Sequence, residues 1–284
     1  MNKTQQTGLV RGTTDKYYTS SNCANLCINT FKENIVITNN DILIEPSAGD
    51  GVFIELLKSL SPKCFFCDIE PNHNEIQKQD YLEFSFFSLI PPSFITESCK
   101  IHVFGNPPFG RQSSLAIKFI KKSCEFCDTL SFILPKSFKK ESMKRHFPLF
   151  FHLKKEIDIL PNSFLVNNLS YNVPCVFQIW EKRRTPRVIP PKLIPKGFKF
   201  VKKNENPHIS FRRVGVYAGK VEMNIEDKSE QSHYFIQLVG VSLNEELVTM
   251  FNSIEYDTKD NTVGPRSISK QELIANFNIM INKN

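Results

Sequence analysis

The feature that most constrains this chain is an alternation of short apolar runs with helix-length segments. Asp41–Glu45 (DILIE) is an apolar strand, followed by the turn Ser47–Gly51 (SAGDG). Val52–Leu60 then places apolar residues at 52, 53, 56, 57 and 60, the period of a helix. Lys63–Ile69 (KCFFCDI) is a second strand. Ile101–Phe104 (IHVF) is a third and runs into Gly105-Asn106-Pro107-Pro108. Ser113–Cys124 reads as a helix, and Leu130–Leu134 (LSFIL) and Val173–Trp180 (VPCVFQIW) as further strands. Ahead of them, residues 20–32 have helical spacing with Ser20 or Ser21 as N-cap. Strands separated by helix-sized segments predict parallel βαβ units, hence an α/β fold with a doubly wound, mostly parallel sheet.

The composition shifts near Glu181. Residues 181–213 hold eleven Lys/Arg against two Glu, with five Pro between 186 and 207. Such a stretch predicts a linker or the start of a second unit, not a buried strand region. The predicted division is 1–15 as a flexible N-terminus, 16–182 as the main α/β domain, 183–207 as a basic Pro-rich linker, and 208–284 as a small α+β or mostly β module able to contact substrate. The N-terminus has no apolar core of a secretory signal, and no run approaches the roughly 20 apolar residues of a membrane span. The expectation is a soluble intracellular protein, cytoplasmic or nuclear, with no membrane partner. A net charge of +7 suits a polyanionic partner without requiring one.

Eight Cys then read as reduced thiols. Two CxxC pairs, Cys64/Cys67 and Cys124/Cys127, allow a zinc reading or a reading as buried thiols. The gap between the pairs is far longer than in a zinc ribbon. Cys64 and Cys67 also sit in a strand pattern, where positions three apart face opposite ways. The expectation is no metal.

Two motifs carry chemistry. Glu45-Pro46-Ser47-Ala48-Gly49-Asp50-Gly51 leaves a strand and opens a helix, so its glycines let the backbone turn sharply and approach a ligand. A plain βα turn would look similar, and the glycines alone do not name a cofactor. Asp68, at the tip of the next strand, suits a ribose diol. The second motif, Gly105-Asn106-Pro107-Pro108-Phe109-Gly110, also ends a strand. An aromatic amine is a poor nucleophile because its lone pair is delocalised. The Asn106 side-chain oxygen and the Pro107 carbonyl can accept its hydrogens, localise the lone pair and stabilise developing positive charge. Consecutive prolines hold those acceptors rigid. Phe109 offers a face for stacking a base, worth about 1–3 kcal/mol.

Asn-Pro-Pro-Phe is similar to the signature of amino-group methyltransferases that act on adenine. The order of segments resembles the gamma-class (Taq-type) DNA adenine-N6 methyltransferases, over about Lys16 to Trp180. The resemblance implies a Rossmann-like class I methyltransferase fold with S-adenosyl-L-methionine as cofactor. It implies that Thr19 contacts the methionine carboxylate, and that Glu45, Ala48, Gly49 and Gly51 line the methionine end. Asp68 would hold the ribose and Asp80 the cofactor's adenine amine. Asn106, Pro107, Pro108 and Phe109 would be catalytic. Phe164 in Leu160-Pro161-Asn162-Ser163-Phe164 is the candidate for a second aromatic against the target base, with core packing as the other reading. Two departures stand out: the family's large target-recognition domain is missing, and the motif ends in Phe where many DNA enzymes have Tyr.

Basic residues follow the strands that should build the site. Lys136, Lys139, Lys140, Arg212 and Arg213 are candidate phosphate contacts, with a solvated surface as the alternative. The expected function is methyl transfer to adenine N6 in a nucleic acid, DNA ahead of RNA. A protein partner that supplies target recognition fits the missing domain. Two rivals remain: methylation of a protein glutamine amide, and a non-catalytic scaffold subunit.

Overall fold

The structure, a computed structural model, describes residues 17–83, 85, 90–96 and 98–282. Residues 1–15, expected to be flexible, lie outside the described residues. By internal packing the chain forms two compact units, Met1–Val188 and Ile189–Asn284.

The first unit opens with β1 (Tyr18–Thr19) and α1 (Ser21–Asn34), whose N-cap Ser20 accepts from the Cys23 amide. Strands β2 (Ile42–Glu45), β3 (Lys63–Asp68) and β4 (Gln77–Lys78) follow, with the short α2 (Ile54–Lys58) between β2 and β3. Next come β5 (Ile101–Gly105), α3 (Ser114–Cys124), β6 (Thr129–Pro135), α4 (Glu141–Lys144), β7 (Phe151–Asp158), β8 (Phe164–Val166), β9 (Leu169–Tyr171) and β10 (Cys175–Lys182).

Seven of these strands form one sheet in the order β4-β3-β2-β5-β6-β10-β7. Pairings among β4, β3, β2, β5 and β6 are parallel, while β10 runs antiparallel to both β6 and β7. The sheet is the expected Rossmann-like, doubly wound, mostly parallel one.

The apolar runs are continuous because both faces are covered. Leu43, Phe104, Ile133 and Phe177 pack with α1 and α2 on one face. Their neighbours Ile44, Val103, Phe132 and Val176 pack with α3 on the other. Strand β10 starts two residues later than the pattern suggested, since Pro174 has no amide hydrogen to give to a ladder. A second, three-stranded sheet, β1-β8-β9, is antiparallel throughout.

The sequence reading did not anticipate β7. Its Lys154 and Lys155 lie on an edge strand, where lysines protect an unpaired backbone. Lys154 is salt-bridged to Glu181 at 3.0 Å.

The second unit is an antiparallel sheet ordered β11-β14-β12-β13: β11 (Phe198–Val201), β12 (Ile209–Arg212), β13 (Val221–Glu222) and β14 (His233–Leu238). Helices α5 (Glu245–Asn252) and α6 (Lys270–Ile281) share its core, where Phe251 and Phe277 stack at 3.9 Å. Part of the stretch 183–207, read as linker, is therefore strand. In β11 Phe198 and Phe200 alternate with lysine and face the core. No helix among the described residues is long and apolar enough to cross a membrane.

Candidate active site

Parallel strands end on one edge of the sheet, and three adjacent ones end here in polar residues: β2 in Glu45, β3 in Asp68, and β5 in Gly105 followed by Asn106. Open α/β sheets place ligands outside such carboxyl ends. A cleft of about 220 Å³ opens at this edge. Glu45, Ala48, Gly49, Asp68, Asp80, Asn106, Pro107, Pro108 and Phe109 line it, together with Thr19 from β1.

The loop after β2 is held on all sides. The Gly49 amide donates to Asp68 Oδ2 at 2.9 Å, and the Glu70 amide to Asp68 Oδ1 at 2.8 Å. The Ala48 amide donates to the Cys67 carbonyl at 3.1 Å. Gly49 has a φ of +55°, and a Cβ there would stand 3.3 Å from the Tyr18 ring. This bare, left-handed backbone suits close approach of a ligand. Ser47 ties the two motifs together, its hydroxyl donating to the Asn106 carbonyl at 3.1 Å. The Phe109 carbonyl in turn accepts from the amides of Leu115 (3.1 Å) and Ala116 (3.3 Å) at the start of α3.

Gly105 has a φ of +147°, and its missing Cβ lets the Glu45 side chain lie within 3.2 Å of where that carbon would stand. Glu45 is fully buried, and its Oε2 has no hydrogen-bond partner. Burial, and then the charges of Asp50 and Asp68, push its carboxyl well above the usual range. Burial also raises Asp50. Asn106 donates through Nδ2 to the Tyr17 carbonyl (3.2 Å) and to Thr19 Oγ1 (3.1 Å), while its Oδ1 is buried and unpaired. Two adjacent strands therefore end in oxygen atoms that lack donors, beside one cleft.

No protein-family model matches the chain, and no curated protein does. Solved structures do resemble it. The chain is similar to the 23S rRNA methyltransferase ErmE at 14% identity and a TM-score of 0.42, over 61% of this chain and 72% of that one. It is similar to an rRNA methylase of Streptococcus thermophilus at 12% identity and a TM-score of 0.37, over 56% and 96%. It is also similar to a type I restriction-modification methyltransferase subunit of the same organism at 16% identity and a TM-score of 0.42, over 61% and 47%. These likenesses concern the strand arrangement and do not bear on substrate.

The remaining predicted residues fall elsewhere. Gly51 turns the loop at a φ of +84° next to the lining residues. Phe164 is 1% exposed in β8, packed into the core with α1 and β10, and is not on the cleft wall. In a half-buried hairpin strand this ring points inward, so its place is the packing one.

Lys136, Lys139 and Lys140 follow β6 on the same sheet edge but outside the lining, with Lys139 bound to Asp158 at 3.0 Å. Arg212 and Arg213 belong to the second unit. They donate to the carbonyls of Val214 (2.8 Å) and Gln231 (2.6 Å), and Arg213 also sits over the Tyr234 ring. Cys67 is buried and its thiol is pushed up to about 12 by burial.

Sequence reasoning missed the apolar wall of Tyr17, Ile69, Leu82, Leu115 and Phe119. The available signal was adjacency: Ile69 follows Asp68, and Leu82 lies two residues past Asp80.

Proposed function

We propose that the chain transfers a methyl group from S-adenosyl-L-methionine to the N6 amino group of adenine in a nucleic acid, DNA ahead of RNA. The observation that supports this most is Asn106 Oδ1, a buried acceptor without a donor on the wall of the cleft. Leaving such an atom unpaired costs about 1–3 kcal/mol, and an arriving N–H removes that cost.

The residues present fit the cofactor. Glu45 Oε2, buried and unpaired, is an acceptor for an ammonium group. The bare backbone at Gly49 admits close approach, Asp68 is at hand for a ribose diol, and Ile69, Leu82 and Phe119 give apolar surface for a purine. Bound S-adenosylmethionine supplies an electrophilic methyl group on a sulfonium sulfur.

The chain's own residues do the rest. Asn106 Oδ1 and the Pro107 carbonyl accept from the adenine NH2 and turn its lone pair out of the ring. Phe109 stacks on the base. The nitrogen would gain a bond to the methyl carbon as the carbon–sulfur bond breaks, the electron pair staying on sulfur and the neutral thioether leaving, and the two oxygens would stabilise the positive charge that passes to nitrogen. It then sheds one proton to water, since an amide oxygen is too weak a base to keep it. No cysteine nucleophile takes part. The base must be unstacked, because N6 is out of reach within a duplex. On this reading Lys136, Lys139 and Lys140, which follow β6 at the same sheet edge, would meet phosphates, and a protein partner would extend that surface.

The test is incubation with labelled cofactor and matched DNA and RNA pools, read by nucleoside mass spectrometry, with calorimetry of cofactor binding in parallel. N6-methyladenosine in one pool is expected. Label on glutamine amides of a protein extract, or on no acceptor at all, overturns the reading.

A further inference from the structure

An Asn side chain can meet a cleft with either end of its amide, because oxygen and nitrogen are nearly isosteric. At Asn106 the neighbours decide which end is the nitrogen. One end lies 3.2 Å from the Tyr17 carbonyl oxygen, and a carbonyl only accepts. That end must therefore be the NH2, and Oδ1 faces away from it, unpaired. The reversed amide would set two oxygens against each other and offer hydrogens to an incoming amine, which needs acceptors.

Thr19 Oγ1, 3.1 Å from the same nitrogen, takes the second hydrogen. A hydroxyl that accepts here keeps its own hydrogen to donate elsewhere, so a role towards the cofactor stays open to it.

We infer that the Tyr17 carbonyl and the Thr19 hydroxyl are positioning groups that fix the orientation of the Asn106 amide and so aim Oδ1 at the substrate nitrogen. This rests on the role given to Asn106 above. The segment is suited to the task because it is pinned from several directions. Thr19 pairs with Phe164 in the β1-β8-β9 sheet, and the Ser20 amide donates to the Ser163 carbonyl at 2.9 Å. Tyr18 accepts at its hydroxyl from Asn72 Nδ2 at 2.7 Å. The burial of Phe164 then has a purpose in the site: it anchors the strand that aims Asn106. A backbone carbonyl cannot be removed by substitution, so Thr19 is the accessible test.

Thr19→Val keeps the shape and removes the acceptor, whereas Thr19→Ser keeps the acceptor. At saturating cofactor and nucleic acid, Thr19→Val should lower kcat about tenfold, the effect of losing one hydrogen bond that matters in the transition state. Thr19→Ser should stay within about twofold of wild type on the same reasoning. Cofactor Kd, measured calorimetrically, separates this from loss of a cofactor contact, because a saturating assay removes any effect on binding.

A second measurement needs no Thr19 variant. In the NMR spectrum of the wild-type protein, the Asn106 side-chain NH2, assigned with Asn106→Asp, should give two distinct protons protected from exchange. The inference is overturned if Thr19→Val retains wild-type kcat, if Thr19→Ser is as impaired as Thr19→Val, or if the Asn106 NH2 exchanges freely. If the wild type forms no N6-methyladenosine, the proposed reaction fails, while the NMR result still judges the positioning.

Discussion

Replacing Asn106 with Ala separates the chemistry of the site from the stability of the fold. The side chain makes two hydrogen bonds through Nδ2 and leaves Oδ1 buried without a donor. Removing the two bonds costs about 1–3 kcal/mol in all, at roughly 0.5–1.5 kcal/mol each. Removing the unpaired oxygen returns about 1–3 kcal/mol. The two effects oppose each other, so stability should change by no more than about 2 kcal/mol in either direction, a Tm shift within roughly 8 °C. The rate effect has no such compensation. An acceptor aimed at developing charge is worth roughly 10²–10³ in kcat, about 2.7–4 kcal/mol of barrier. The assay is N6-methyladenosine formation under saturating cofactor, paired with thermal unfolding of the same preparations. A variant that melts near wild type and loses at least about 100-fold in rate fits the reasoning. A variant that methylates normally refutes it. So does one that loses activity only because the first unit unfolds, for then Asn106 is a structural residue.

Glu45→Gln should show a pH signature. Glu45 has a folded-state pKa raised above its unfolded value, so the folded wild type is penalised as pH rises from about 4.3 through the raised value. The variant should therefore match wild type in acid and become the more stable of the two at neutral and alkaline pH. Equal stability at every pH counts against a buried, unpaired carboxyl. Arg187→Ala tests the packing behind the site: its guanidinium donates to the carbonyls of Lys144, Phe147, Pro148 and Phe151 and lies 5.5 Å from the Trp180 ring. Discounted for its partial exposure, the loss should be about 2–3 kcal/mol, lowering Tm by roughly 4–12 °C, and a shift under about 2 °C would show those carbonyls content with water.

The central strands were legible because burial on both faces favours short, near-continuous apolar runs: DILIE and LSFIL announce β2 and β6 without help from periodicity. The edge strand β7 was not, because an edge needs charge, and FHLKKEID hides its pairing partners behind lysines. The β8–β9 hairpin escaped for another reason. Its strands are three residues each, and its turn, Asn167-Asn168 at φ +50° and +61°, lacks the glycine that usually marks such a turn. Among the residues lining the cleft, those whose side-chain type suggests a role could be read from the motifs: Glu45, Asp68, Asn106 and Phe109. Tyr17 could not, since it holds Asn106 with a backbone carbonyl that every residue possesses. Phe164 was visible as an aromatic beside the site, but only the register of β8 against β1 shows which way its ring turns.

Two unpaired oxygens at the ends of neighbouring parallel strands also bear on the scaffold alternative. β2 and β5 are hydrogen-bonded to each other, and Gly105 lets Glu45 crowd against the chain that leads to Asn106. A protein kept only for its shape gains nothing from this arrangement. A buried ionisable group and an orphan carbonyl each destabilise the fold, and an apolar side chain at either position would be tolerated or preferred. Features that break a local rule at a fold's ligand-binding edge are expected where a ligand supplies the missing partners. On the proposed reading both missing partners are hydrogen-bond donors with positive character, the cofactor's ammonium at Glu45 and the substrate amine at Asn106. A carbonyl oxygen placed against an amine can grip it without removing its proton first. That is what an acceptor nitrogen needs if its lone pair is to reach an electrophile on the far side.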